Sequence, residues 1–398
     1  KHVVGEKEYR KSIKHYLQKH AYQNVDSEDL LIAFHETLGL SLNWFWDEWI
    51  YRGGEPNYKV NYKRILQDVT INVEQIHDTS SLVRLFRMPI VFELHFKDGT
   101  SISKTKVIKN KTNTIKFSIP KGKKVSYVLF DPDDKILKNV SFRKSFNMLN
   151  AQLLNAKNLL DRYDALLALK EINYNKKREL LFQVFKIEKF HLLKTEVINQ
   201  LKKEDVLLII DDFTNKFNNQ NDIKVKNAIL NKINVNKESI EFFTKSLYDL
   251  SYRNKEVAYK KLVTYNPDFL YQDVLFPLNG ENDYGRKFAI SKLEIIVDFG
   301  IKADSVLAIN KLIEYTSSSF EFLTRVNAMK TLEKKRLYNK ELVENLFNAL
   351  YNPNKRLRSP AKKFLQKLSK TPEVENWILQ ESKKDLEKWK ANLLNSIN

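Results

Sequence analysis

The sequence predicts a multidomain α+β chain: the end of a helical domain, a small antiparallel β-sandwich, and then an α-solenoid of HEAT- or armadillo-like repeats. Three observations carry this reading. Apolar residues recur at helical spacing from residue 6 to about 55. From Val60 to about Phe146 the period changes to 2. After Ser145 the chain is helical to its end, and one short pattern recurs there every thirty-odd residues. With 398 residues the chain also exceeds the size at which a single core keeps growing. The expected domains are 1–58, 59–147 and 148–398.

Three helices are expected in the first segment. Tyr9, Ile13, Tyr16, Leu17 and His20 form one stripe. Asp26 is placed to cap a second helix, whose stripe is Leu30, Leu31, Phe34 and Leu38, and Gly39 supplies a left-handed stop. Ser41 then caps a third helix carrying Leu42, Phe45, Trp46, Trp49 and Ile50 on one face, with Trp44 off it. Gly53-Gly54 ends this helix and Pro56 prevents its resumption. Three tryptophans within six residues could form a sugar-stacking platform. A platform needs exposed rings, however, and this spacing turns Trp46 and Trp49 toward the core.

The strands follow from alternation. Phe86, Met88, Ile90, Phe92, Leu94 and Phe96 occupy every second position, and Asp98-Gly99 marks the turn after them. Val69, Ile71 and Val73 alternate likewise, as do Ile115, Phe117 and Ile119. Residues 123–142 read as two strands around Asp131-Pro132-Asp133-Asp134. Several short strands separated by turns indicate a sandwich.

In the helical part a small or aliphatic residue is followed four positions later by Leu. The pairs are Ala165/Leu169, Val197/Leu201, Ala258/Leu262, Ala289/Leu293, Ala328/Leu332 and Ala361/Leu365, with a weaker copy at Ala228. Thirty-odd residues hold two short helices, and the small residue lets neighbouring helices approach. A basic residue stands three before the small one in six copies: Arg162, Lys194, Lys255, Arg286, Arg325 and Arg358.

The net charge of +19 raises the question of nucleic acid. The lysines are dispersed, and short runs such as Lys121-Gly122-Lys123-Lys124 sit in turns, so the footprint argues for a solvated basic surface instead. No apolar run approaches the ~20 residues of a membrane span. The start has no apolar signal core and no initiating Met, as expected of part of something longer, which leaves the compartment open. Without cysteine there are no disulfides and no thiolate metal sites.

Motifs that carry chemistry are missing. His35-Glu36 begins as HExxH does, but the fifth position is Gly39. His15 and His20 are five apart and diverge around a helix, and His95 lies on the polar side of its strand. His2, His77 and His191 have no partner at ligand spacing. There is no G-x-S-x-G and no phosphate-binding glycine loop. The acidic pair Asp211-Asp212 reads as a helix end or turn. No catalytic, cofactor-binding or metal residue is assigned.

The opening stretch, with Gly5-Glu6, Tyr16-Leu17, Asn24, Asp29-Leu30, Trp49 and Gly54-Glu55-Pro56, resembles the end of the catalytic domain in the aminopeptidase N family of zinc metallopeptidases. Larger members of that family continue with a β-sandwich and a HEAT-like solenoid, the order read here from periodicity. The resemblance implies a zinc aminopeptidase acting on peptides, of which this chain is the C-terminal portion that shapes and covers the peptide cleft. The family's zinc, amine-gripping and oxyanion motifs all lie upstream of the matched region. The isolated chain is therefore expected to bind no zinc and to be inactive. In such enzymes basic residues of the solenoid can meet the substrate carboxylate. Arg286 and Arg325 are candidates on that ground, although their repeat position points to structural ion pairs. The alternative is a non-catalytic protein-binding scaffold of the same architecture.

Overall fold

The computed structural model describes residues 1–80, 83–216, 223–271 and 283–397. They form two compact units, residues 1–200 and 201–398.

The first unit begins with α1 (Glu6–Lys19) and α2 (Ser27–Leu38), which pack together. Asp26 caps α2 as expected, and Asp29 reaches back to the Asp26 N–H to complete a capping box. Gly39 ends the helix at φ 63. Leu17, expected on the α1 stripe, is exposed, and the buried position of α1 is Ser12. The third helix also departs from expectation. Leu42, not Ser41, stands at its N-cap, α3 covers only Asn43–Phe45, and Trp46–Ile50 continue as a π-helix. The wider π turn moves Ile50 off the apolar face, leaving it exposed.

Seven strands follow: β1 (Asn57–Ile65), β2 (Asp68–Gln75), β3 (Met88–Phe96), β4 (Ser101–Ile108), β5 (Thr112–Ser118), β6 (Val125–Phe130) and β7 (Asn139–Phe142). They make one sheet in the order β5-β2-β1-β7 and a second in the order β4-β3-β6. Residues of both sheets, among them Ile71, Phe117, Ile90 and Phe92, share a single core. The alternation of β3 is complete, with every second side chain buried from Met88 to Phe96.

Not every pairing is antiparallel: β7 runs parallel to β1. The two strands read around residues 131–134 both form, but they join opposite sheets. The crossing chain places Asp131, Asp133 and Asp134 at positive φ, a conformation that Asp tolerates better than most residues. Asp131 is buried and ties the crossing down, its Oδ2 accepting from Ile136 N at 3.1 Å and Lys138 Nζ at 2.6 Å.

The unit closes with α4 (Phe146–Asn155), α5 (Leu159–Ala168), α6 (Tyr174–Ile187) and α7 (His191–Gln200). Ser145 caps α4, and α4 packs on β6.

The second unit is helical among its described residues. It runs through α8 (Lys203–Lys216), α9 (Ile223–Lys232), α10 (Ile240–Ser246), α11 (Tyr252–Tyr265), α12 (Lys287–Phe299) and α13 (Lys302–Glu314). It continues with α14 (Phe322–Lys335), α15 (Lys340–Leu350), α16 (Lys355–Leu368), α17 (Pro372–Ser382) and α18 (Lys388–Asn395). Asp211 and Asp212, read as a helix end, fall inside α8, because no glycine or proline follows to stop it.

The helices that carry the recurring pattern pack on one another: α5 on α7 in the first unit, then α9 on α11, α11 on α12, α12 on α14 and α14 on α16 in the second. Ala165, Ala258, Ala328 and Ala361 are buried at these contacts together with the Leu four residues on. The weak copy is out of frame, since Ala228 is half-buried and Val225 and Ile229 take the pair of core positions.

Candidate functional site

The three tryptophans that crowd residues 44–49 serve two joints of the first unit. Trp46 is 5% exposed and packs against Phe34, and its indole N–H donates to Ser27 O at 2.8 Å, so it locks the third helix to α2. Trp49 is half-buried and turns toward the sheets. It lies 4.9 Å from the Phe86 ring and donates to Arg87 O at 3.1 Å. Trp44 carries the Arg87 guanidinium over its face at 4.9 Å. Glu48 accepts from Arg87 N at 2.6 Å. Arg87, just before β3, is thus held by three contacts from one short helix. The expectation that two rings pack holds for Trp46 in full and for Trp49 in part.

Gly54 lets the chain leave this joint. Its φ is +83, and a Cβ there would lie 2.9 Å from Val83 Cγ2.

Beside the joint lies an apolar cavity of about 420 Å³, lined by Val3, Ile13, Phe34, Trp46, Met88 and Ile136 among others. Ile50 lines it and is exposed, as are Leu40 and Tyr51 in the same stretch of chain. So large an apolar surface on short helices is a surface for packing rather than for chemistry.

The histidines lie apart. His2 meets Pro89 O at 2.6 Å, His15 meets Glu36 at 2.6 Å, and His20 lies tilted against Tyr16. His35 is exposed at the end of α2, and His191 lies against Phe190. His77 accepts from Asn57 N through Nδ1 and so donates through Nε2 to Arg84 O. His95 pairs with Glu93 at 2.8 Å and stacks on Tyr127 at 4.4 Å. Among the described residues no three His, Asp or Glu side chains gather as a metal site, so these residues do not fit a catalytic zinc.

The basic residues of the repeat are tied to the backbone and to rings. Arg162 donates to Ala156 O and Lys157 O, both at 3.1 Å, and pairs with Glu188 at 2.6 Å. Arg358 donates to Asn352 O at 3.1 Å and Pro353 O at 3.2 Å. Arg325 is 4% exposed and donates to Thr316 O at 2.9 Å and Asn348 Oδ1 at 3.0 Å. Burial lowers its pKa. Arg286 opens α12 at φ 45, lies over Phe320 at 4.9 Å and donates to Thr324 Oγ1 at 3.3 Å. The ion-pair role expected of the repeat position is therefore met by Arg162, whereas Arg325 and Arg358 bond neutral acceptors. Arg162, Arg325 and Arg358 each reach the turn that precedes their own helix, where open carbonyls need donors, and Arg286 does not.

With this geometry in place, three similarities bear on the chain. Residues 1–49, which hold α1, α2 and the tryptophan joint, match the Peptidase family M1 domain. Over 58 residues the chain is 40% identical to Tricorn protease-interacting factor F2 of Thermoplasma volcanium, a stretch amounting to 15% of this chain and 7% of that protein. The crystal structure of Legionella pneumophila aminopeptidase A in complex with aspartic acid aligns with 99% of this chain and 45% of its own, at 13% identity and a TM-score of 0.39. The chain thus spans under half of that aminopeptidase, and its match to F2 is a small part of F2. Through its opening segment the chain is related to the M1 aminopeptidases, a family of zinc-dependent hydrolases. No helix among the described residues is long and apolar enough to cross a membrane.

Proposed function

We propose that this chain is the C-terminal portion of a zinc aminopeptidase that removes N-terminal residues from peptides. The observation that carries the reading is the family match over residues 1–49, reinforced by 40% identity to a relative over 58 residues. In this reading residues 1–58 are the last helices of the peptidase domain, 59–147 a β-sandwich, and 148–398 a HEAT-like solenoid that shapes and covers the peptide cleft. The two sheets on one core and the packing of the repeat helices support the second and third assignments. The exposed apolar surface around the tryptophan joint fits a segment that belongs against further peptidase structure. Zinc and its ligands are then supplied outside the described residues, and the isolated chain is inactive.

A second reading is a protein-binding scaffold. It draws on the relative F2, which is named as a factor that interacts with a protease.

The test has two parts. The coding sequence preceding Lys1 is read for HExxH and a downstream Glu, and the product is assayed for release of p-nitroaniline from leucine p-nitroanilide with and without a zinc chelator. Chelator-sensitive release supports the aminopeptidase. An intact upstream fold without the histidines, and no release, favours the scaffold.

A further inference from the structure

One end of the sandwich is built from three turns. The β1–β2 hairpin closes at Leu66-Gln67, the β5–β6 connection runs over residues 119–124, and β3 turns into β4 at residues 97–100. Backbone hydrogen bonds hold them side by side. Ile119 N donates to Gln67 O at 2.6 Å, and Lys97 N donates to Lys124 O at 2.9 Å. Lys123 ties the second and third turns through its side chain, to Thr100 Oγ1 and, at 3.1 Å, to Asp98.

The hairpin tip is apolar. Ile65 is 58% exposed and Leu66 85%, and Pro120 stands exposed on the neighbouring turn. A single exposed aliphatic residue is ordinary. Leu66 differs because its φ is +54. Two-residue hairpin turns that need this backbone at their first position favour Asn or Gly there, and a leucine is strained. Arg64 holds the turn nonetheless, its Nε donating to Leu66 O at 3.0 Å. The fold thus bears both strain and exposure at one residue and gains no packing from it. Whatever the side chain can gain must come from outside the chain.

The same end is basic. Lys63, Lys97, Lys121 and Lys124 are exposed, and among the described residues none of them pairs with an acid. The acids beside them are already engaged. Asp68 accepts from Ser118 Oγ at 3.3 Å, and Asp98 accepts from Thr100 Oγ1 at 2.7 Å and pairs with Lys123. An apolar point therefore stands beside unneutralised cations on all three turns.

We propose that this end of the sandwich docks on an anionic phospholipid surface, with Ile65 and Leu66 entering the acyl boundary and Lys63, Lys97, Lys121 and Lys124 meeting the headgroup phosphates. A protruding apolar tip gains from a yielding apolar medium, and the headgroup layer above that medium carries the negative charge that the cations lack. A polyanion in water, such as a nucleic acid, would meet the lysines and leave Leu66 exposed. The surface uses residues 63–124 and does not rest on the peptidase reading, so the two stand or fall separately.

The test is co-sedimentation of the 398-residue chain with vesicles of phosphatidylcholine alone and of equimolar phosphatidylcholine and phosphatidylglycerol. Binding to the anionic vesicles is expected to be at least tenfold stronger and to weaken as salt is added. Leu66→Asn is expected to weaken it at least tenfold with a thermal midpoint no lower than the parent's, because Asn accepts the positive φ. Ile65→Thr, which keeps a β-branched side chain in the strand, is expected to weaken it several-fold. Lys121→Glu combined with Lys124→Glu is expected to weaken it at least tenfold, each surface cation being worth roughly fivefold. Equal binding to the two kinds of vesicle, or no binding by the folded chain, overturns the proposal. So does binding to anionic vesicles that needs the two lysines but ignores Leu66→Asn and Ile65→Thr, which would make this end a surface for polyanions alone.

Discussion

Arg325 shows how a side chain with the right chemistry for substrate recognition can be removed from that role by its surroundings. A guanidinium on a helical repeat is well suited to a peptide carboxylate, because its planar fork offers parallel donors. Here the group is 4% exposed, and its donors point at Thr316 O and Asn348 Oδ1. Those acceptors belong to the end of one helical hairpin and to α15, so the residue joins neighbouring layers of the second unit. Arg325→Lys supplies a single ammonium that cannot span both acceptors. It is expected to cost about 1–3 kcal/mol, the usual penalty for leaving buried polar groups unmatched. In a unit of this size that lowers the thermal midpoint by roughly 2–4 °C per kcal/mol. A Lys variant with an unchanged midpoint but weakened peptide affinity would return Arg325 to substrate recognition.

The short third helix is an element whose purpose is packing, and the cost of disturbing it should be graded along its length. Trp46 fills the space between α1, α2 and the joint, so Trp46→Ala is expected to destabilise the first unit by about 3–5 kcal/mol. Trp49 is half-buried, and the same change there is expected to cost about half as much. Equilibrium unfolding in urea, with a fall in midpoint at constant slope, measures both. Equal losses would mean that the two rings are buried alike.

The N-cap at Asp26 and the stop at Gly39 were legible because capping is local chemistry, written within four residues. The core face of β3 was legible for the same reason, since alternation is a property of the strand itself. The parallel partnership of β7 with β1 was not, because residues 57–60 and 139–142 are far apart in sequence and alternation is silent about partners. The π turn at Trp46–Ile50 escaped likewise, as an α and a π reading place the same tryptophans inward and differ only at Ile50. A cavity of about 380 Å³ beside β6, β7, α4 and α5, with Lys144 and Asp164 in its lining, left no sequence signal either. Its groups are twenty residues apart on different elements, and neither stands in a motif.

At the scale of the whole molecule, that cavity gives stability a pH dependence with two opposed arms. Burial pushes Asp164 up to about 6, with Asp134 adding to the rise and Lys144 and Lys138 opposing it. Burial brings Lys144 down to about 8 against the pull of Asp164 and Asp161. For Asp164 the folded state holds its proton more tightly than the unfolded chain. Stability from this group therefore declines as pH rises from about 4 to about 6. For Lys144 the unfolded chain binds the proton more tightly, so stability climbs as pH rises from about 8 to about 10.5. Between about 6 and 8 both groups are charged and both costs are present.

The net charge of +19 acts across the same range, because protonating carboxylates below pH 5 adds to self-repulsion and masks the Asp164 arm. Differences between variants remove that background. Asp164→Asn is expected to gain stability relative to the parent as pH rises from 4 to 6, and Lys144→Met to lose its relative advantage between 8 and 10.5. Thermal midpoints at half-unit pH steps test this directly. Parallel curves for parent and variants would mean that the two groups titrate as they do in water.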